Sequence, residues 1–216
     1  DYLARRHSAD AAAFPEQLGL TLTRIATLRY GENPHQRAAF YRSPGTATDS
    51  IAAARFAQGK ELSFNNIADA DTALECVRQF DRDACVIVKH ANPCGVAVAN
   101  DARTAYELAY RTDPTSAFGG IIAFNRPLAA GTAQLILERQ FVEVLVVPEL
   151  LAGAAEVLAT KPNVRVLITG PQSRAPTAER ELRSVAGGVL AQDRDAGQID
   201  VDALPCATTR APTIAE

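Results

Sequence analysis

The chain has no methionine, no tryptophan, and only three histidines among its 216 residues. Those histidines (His7, His35, His90) are scattered without ligand spacing, so no structural metal is expected. The four cysteines (Cys76, Cys85, Cys94, Cys206) contain no CxxC pair and no regular framework. That excludes a disulfide scaffold and points to reduced thiols in a cytoplasmic setting. No apolar run approaches the ~20 residues that span a bilayer, and none resembles a signal peptide. Positive charge is not in excess: 22 Lys and Arg stand against 25 Asp and Glu, a net charge of -3. No global field recruits nucleic acid or a membrane, and an anionic ligand must be held by a few local cations. The chain opens at Asp1 without a Met, so a piece of a longer polypeptide is expected.

What is present is ordinary for a soluble globular protein, 47% hydrophobic and 22% charged, and long enough to bury a sizeable core. Residues 1–24 are polar and Ala-rich, with a short helix expected around 8–14, and read as an interdomain linker or docking arm. Ala38–Tyr41 is predicted as a short strand, and 42–50 and 59–66 as polar loops. Ala70, Ala73, Leu74 and Val77 recur at i, i+3, i+4, i+7 and predict a core-facing helix over 68–80. Ala84–Val88 reads as a strand buried on both faces. Helices are expected at 101–111, 129–139 and 149–160, and strands at 119–124, 143–147, 164–168 and 188–191. The alternation predicts an α/β protein with crossover units around a mostly parallel sheet.

The most informative pair is Lys89-His90, an ammonium and an imidazole at the exit of the buried strand. The carboxyl end of such a strand is where ligands bind in open α/β sheets. Lys there without a partner costs several kcal/mol by desolvation, and a cation beside a group titrating near neutrality suits proton transfer. Other polar clusters are Arg29-Tyr30 with Asn33, Asn65-Asn66, Ser116-Ala117-Phe118-Gly119, and Glu143 at the start of a buried strand. Each also has a plainer use. Arg29 pairs with Glu32 on a wet surface, Asn65-Asn66 caps a helix, and Glu143 is an exposed strand end. Pro93-Cys94-Gly95 reads as a tight turn with an inert thiol, and Gly119-Gly120 as backbone room that also permits close ligand approach.

Six segments occur together and in order: Arg29–Gln36, Gly59–Asn66, Val88–Gly95, Thr115–Gly120, Gln140–Val144 and Gly187–Asp193. Over roughly 28–195 the chain closely resembles the bifunctional purine-biosynthesis enzymes. These join an inosinate cyclohydrolase domain to an aminoimidazole-carboxamide ribotide (AICAR) formyltransferase domain. The resemblance implies a layered α/β/α, cytidine-deaminase-like subdomain over 25–195, the first of two, with 196–216 leading to the second. It implies transfer of a formyl group from 10-formyltetrahydrofolate, as co-substrate, to the 5-amino group of AICAR. No metal is required for that chemistry. It also implies a homodimer with sites at the subunit interface, and folate-site residues outside this chain. Carried over by position, His90 resembles the base on the amine and Lys89 the cation that stabilises the transition state. Arg29 and Tyr30 resemble nucleotide-binding residues at the phosphate end. Asn66, Phe118, Gly119 and Glu143 resemble those that hold the carboxamide and ring.

Two other readings fit part of the pattern. A zinc deaminase shares the fold and Pro93-Cys94 echoes its PCxxC, but that chemistry needs HxE and a second Cys three residues on. Here His90 is followed by Ala91-Asn92, and position 97 is Ala. A non-catalytic dimerisation or docking fragment is the other alternative, and it predicts a folded protein that binds no AICAR.

Overall fold

A computed structural model describes residues 14–172, 180–195, 197, 203–211 and 213. The helix expected at 8–14 falls almost wholly outside the described residues. Two compact units divide the chain, residues 1–174 and 175–216. In the first, β1 (Thr23–Leu28) and β2 (Ala38–Arg42) form an antiparallel pair. There follow β3 (Arg55–Gln58), α1 (Phe64–Val77), β4 (Asp83–Lys89), β5 (Asn92–Ala99), α2 (Ala102–Thr112) and α3 (Pro114–Ala117). The unit ends with β6 (Gly120–Phe124), α4 (Ala130–Arg139), β7 (Val142–Val147), α5 (Ala154–Ala159) and β8 (Arg165–Ile168). In the second unit β9 (Arg180–Val185) and β10 (Gly188–Asp193) form a separate antiparallel hairpin. The strand expected at 188–191 therefore pairs with β9 and does not join the main sheet.

Six strands form that main sheet in the order β3-β8-β7-β6-β4-β5. The α/β class holds, but the sheet is mixed where a mostly parallel one was expected. Only β6–β7 and β7–β8 run parallel, while β3–β8, β4–β5 and β4–β6 are antiparallel. The physical reason lies after Lys89. The chain reverses at once into β5 instead of crossing over through a helix, and a two-residue connection permits only antiparallel pairing. Asn92–Ala99 is thus a strand, and Pro93-Cys94-Gly95 is not the tight turn expected. β5 lies at the sheet's edge, where Pro93 costs no ladder bond, and a bulge at Ile87/Val88 accommodates it.

The period-2 alternation of β4 divides the core into two layers, with helices on both faces. Ala84, Val86 and Val88 face α1, whose Ala70, Ala73, Leu74 and Val77 are fully buried against Ile121, Val144 and Val146. Cys85 and Ile87 face the opposite layer, with Tyr106 and Ala109 of α2, Ile136 of α4 and Leu158 of α5. Each such Leu, Ile or Val contributes about 1.5–3 kcal/mol on burial, so β4 is held from both sides and its carboxyl end is fixed in space.

α1 starts four residues earlier than the periodicity implied, because Ser63 caps it. Its Oγ accepts from the Asn66 amide at 3.1 Å, and Asn66 Oδ1 accepts from the Ser63 amide at 3.3 Å, a reciprocal capping box. Asp113 closes α2 and caps α3, with Pro114 opening the latter, as the Asp-Pro stop in the sequence implied. Helix α5 is shorter than the 149–160 expected, because Leu150 bridges to Leu128 before the helix begins.

Gly95 fixes how closely α2 can lie on β5. A Cβ added there would sit 2.2 Å from the Ala109 carbonyl oxygen. Gly95→Ala is expected to destabilise the protein by about 2–4 kcal/mol, measured by urea unfolding. An unchanged midpoint would contradict this packing.

Candidate active site

The antiparallel placement of β4 sets the geometry of the whole edge. Val88 pairs with Ile121, Gly120 with Val142, and Val144 with Arg165. The carboxyl end of β4 therefore lies beside the amino ends of β6, β7 and β8. The carboxyl end of β3 lies there too, since β3 runs antiparallel to β8 with Gln58 opposite Val166.

Lys89 and Asn92 are register partners, so His90 and Ala91 form a two-residue hairpin loop. Both have left-handed backbone, φ 55° and 54°. A type I′ turn demands that conformation, and Asn-Gly or Gly-Gly usually supplies it. For residues with a Cβ it costs about 1–2 kcal/mol each. Two hydrogen bonds hold the strained loop: the Ala91 amide donates to Asp69 Oδ1 at 2.7 Å, and Asn92 Nδ2 donates to the His90 carbonyl at 2.9 Å. His90 is exposed, and its imidazole makes no hydrogen bond with the described residues. Backbone strain held in place by surrounding contacts is a recurrent mark of functional positions.

Half-buried Lys89 donates from Nζ to the Phe118 carbonyl at 2.7 Å, so its partner is a neutral acceptor and the charge stays uncompensated. Two of its three N–H bonds remain for a ligand. Phe118 itself is 60% exposed and leans on Phe141, ring centroids 5.7 Å apart. Gly119 adopts φ 71° and gives its amide to the Phe141 carbonyl at 2.8 Å, so it offers close approach and not an N–H. Gly120 is just as constrained, since a Cβ there would come within 3.1 Å of the Val88 carbonyl.

Asn66 has two duties. Its Oδ1 closes the capping box, and its Nδ2 donates to Glu143 Oε2 at 2.9 Å. Capping and a place in the site are therefore not alternatives for this residue, and the cap itself is Ser63. Glu143 is half-buried at the second position of β7 rather than at an exposed end. Arg29 does not pair with Glu32 among the described residues; its guanidinium lies 5.6 Å from the Tyr30 ring centroid. Both line a cavity of about 400 Å³ together with Lys60, Glu61, Ser63 and Arg165.

The structure thus joins Lys89 to Phe118, and Asn66 to Glu143. Arg29 and Tyr30 lie by Arg165 at the start of β8, in a cavity that neither Lys89 nor His90 lines. Sequence reasoning missed Asp69, Lys60 and Arg165. Asp69 stands three residues after Asn66 on the same helical face. Arg165 is a cation in the apolar run Val164–Ile168, the same signal that singled out Lys89.

Cys94 carries no reactive signature: burial, then the Asp113 carboxylate, push its thiol up. Among the described residues no three His, Cys, Asp or Glu side chains gather as a metal site, and no helix is long and apolar enough to cross a membrane.

The model of the AICARFT/IMPCHase bienzyme family matches residues 1–216, and the chain belongs to that family. The formyltransferases of this family are folate-dependent.

Two predictions test the geometry. Ala91→Gly relieves about 1–2 kcal/mol of left-handed strain and gives back about 0.5–1 to unfolded-state entropy. A net stabilisation of about 0.5–1 kcal/mol is expected by urea unfolding, and a loss would contradict the turn. Asp113 accepts from the Ser116 hydroxyl at 2.5 Å and amide at 3.0 Å, which lowers its carboxyl pKa. The cap it provides before Phe118 is complete above the ordinary carboxylate range and lost as pH falls through the lowered value. Ser116→Ala should raise the Asp113 midpoint in an NMR carboxyl titration, and an unmoved midpoint would remove the hydroxyl as the cause.

Proposed function

We propose that this chain carries the ribotide-binding and proton-transfer half of an AICAR formyltransferase site, with residues 25–195 as the first of two cytidine-deaminase-like subdomains. Residues 1–24 then serve as the interdomain linker and 196–216, only partly described, as the connection to the second half. The observation that supports this most is the strained His90-Ala91 loop beside the uncompensated Lys89. The tight turn accounts for the left-handed backbone but not for an imidazole beside a half-buried ammonium, and formyl transfer uses a base and a cation.

The amine of the ribotide is a poor nucleophile, because its lone pair is delocalised into the imidazole and carboxamide. As its nitrogen bonds to the formyl carbon, His90 removes the proton that nitrogen must shed. The bond from the formyl carbon to the folate nitrogen then breaks, and that nitrogen takes up a proton. Lys89 meets the negative charge that develops on the formyl oxygen and stands where it can supply the proton to the leaving nitrogen. Its Phe118 carbonyl partner aims the ammonium without neutralising it. The Asn66–Glu143 pair offers a donor and an acceptor for the carboxamide, while Gly119 lets the ring approach the backbone. Phe118 provides an apolar wall. Arg29 and Tyr30 bind at the phosphate end, where a guanidinium fork suits the anion.

The co-substrate 10-formyltetrahydrofolate enters over the same edge and is held by residues outside this chain. A homodimer with interfacial sites and a cytoplasmic location accompany this reading.

In the complete transferase, His90→Ala is expected to lower kcat for formyl transfer by about 10²–10⁴-fold, with Lys89→Ala causing a comparable loss. Ribotide affinity should change far less than kcat. Unaltered turnover in His90→Ala would remove it as the base.

A further inference from the structure

Two hydrogen bonds hold the His90-Ala91 loop, and they do different work. The Asn92 side chain donates to the His90 carbonyl at 2.9 Å and belongs to the hairpin itself. It shapes the turn without tying it to anything else. The Asp69 carboxylate reaches the Ala91 amide at 2.7 Å from helix α1, 22 positions earlier in the chain. A two-residue turn closes through the residues that flank it, so the Ala91 amide is left over and the helix takes it. An ionised acceptor makes such a bond shorter and about twice as strong as a neutral one.

The place of Asp69 on its helix gives the bond a second meaning. Half-buried, it stands three residues after Asn66, about 4.5 Å along the axis and on the same face. Asn66 Nδ2 donates to Glu143 Oε2 at 2.9 Å. Within one turn, α1 therefore holds β7 with one side chain and the loop after β4 with another. The mount is rigid. The Ser63–Asn66 capping box fixes its start, and Ala70, Ala73, Leu74 and Val77 are fully buried beneath it.

Formyl transfer asks for such a mount. The amine and the carboxamide of the ribotide sit on neighbouring carbons of one ring, so the base and the partners of the carboxamide must keep a fixed spacing. His90 is exposed and its loop is strained. Released from Asp69, the loop would keep its internal Asn92 bond but lose its fixed place beside the Asn66–Glu143 pair. Asp69 does not pair with the imidazole: no ion pair joins it to His90 among the described residues. Its carboxylate acts on the backbone.

We propose that Asp69 is a positioning residue for formyl transfer. By holding the Ala91 amide it fixes where His90 stands relative to Asn66 and Glu143, so that the base and the carboxamide's partners share one mount, helix α1. The inference rests on the ribotide reading above.

Kinetics of the complete transferase test it. Asp69→Ala should lower kcat by about 10–100-fold, with KM for the ribotide moving far less. Asp69→Asn keeps an oxygen that can face the amide and should retain most of the turnover. Hydrogen exchange in the same protein reads the bond directly: the Ala91 amide should exchange about five- to ten-fold faster in Asp69→Ala and stay protected in Asp69→Asn. A loss in Asp69→Asn as large as in Asp69→Ala would make the charge the cause and overturn the proposal. Equal losses of kcat and ribotide affinity would mean a structural role and overturn it as well. So would full turnover in Asp69→Ala where His90→Ala has lost it, with the ribotide reading still standing. If His90→Ala itself turns over normally, the base assignment falls and this inference with it.

Discussion

One antiparallel strand governs the site. Because β4 runs against β6, its carboxyl end meets three amino ends. An all-parallel sheet would instead bring carboxyl ends together, each followed by a loop feeding a helix. Here the loop after β4 is only two residues, too short to wander, while what approaches it from β6 and β7 is backbone entering strands. The consequence is precision. Lys89 emerges from a strand buried on both faces, and the carbonyl that receives its ammonium belongs to Phe118, two residues before β6 begins. Neither partner lies on a long loop, so the ammonium is aimed by the sheet itself.

Strain and support are balanced at the same place. Two left-handed residues cost about 2–4 kcal/mol together, a large share of a typical domain's 5–15 kcal/mol. The Asp69 and Asn92 hydrogen bonds offset part of this, and the buried layers on either side of β4 supply the rest. The bulge at Ile87/Val88 and the positive φ of Gly119 lie within a few residues of the same point. Irregularity is therefore concentrated at one corner of an otherwise regular sheet, where re-aimed side chains are worth what they cost.

Much of the fold was legible in the sequence. The uncharged run Ala84–Val88 declared a doubly buried strand, the 3.6-residue spacing of Ala70, Ala73, Leu74 and Val77 declared α1, and Asp113-Pro114 declared a stop. What was hidden has physical causes. His90-Ala91 carries none of the glycine or asparagine that marks a hairpin, because tertiary contacts and not local preference hold it left-handed. With the turn unseen, β5 was unseen, and strand direction followed in error. Pro93 reinforced the mistake, since proline in a strand is tolerated only at an edge, and edges are properties of the assembled sheet. At the site, residue types singled out Lys89, Asn66 and Glu143, and the structure brings the last two together. The Asn66–Glu143 hydrogen bond joins residues 77 positions apart, which local spacing cannot reveal.

Arg165 illustrates the more general point about charge. A cation opening an apolar strand is costly wherever the strand end is dry, so such a residue must be wet, paired or used. Lys89 and Arg165 both open onto the same edge, and neither has a carboxylate partner among the described ion pairs. Carboxylates are not lacking in a chain with 25 of them. Asp69 is spent on a backbone amide, Glu143 on the Asn66 side chain, and Glu61 offers Arg165 its carbonyl. Each nearby acid or carbonyl orients a group without quenching a cation. An edge arranged in this way keeps Lys89 and Arg165 available to a small anion within a protein of net charge -3.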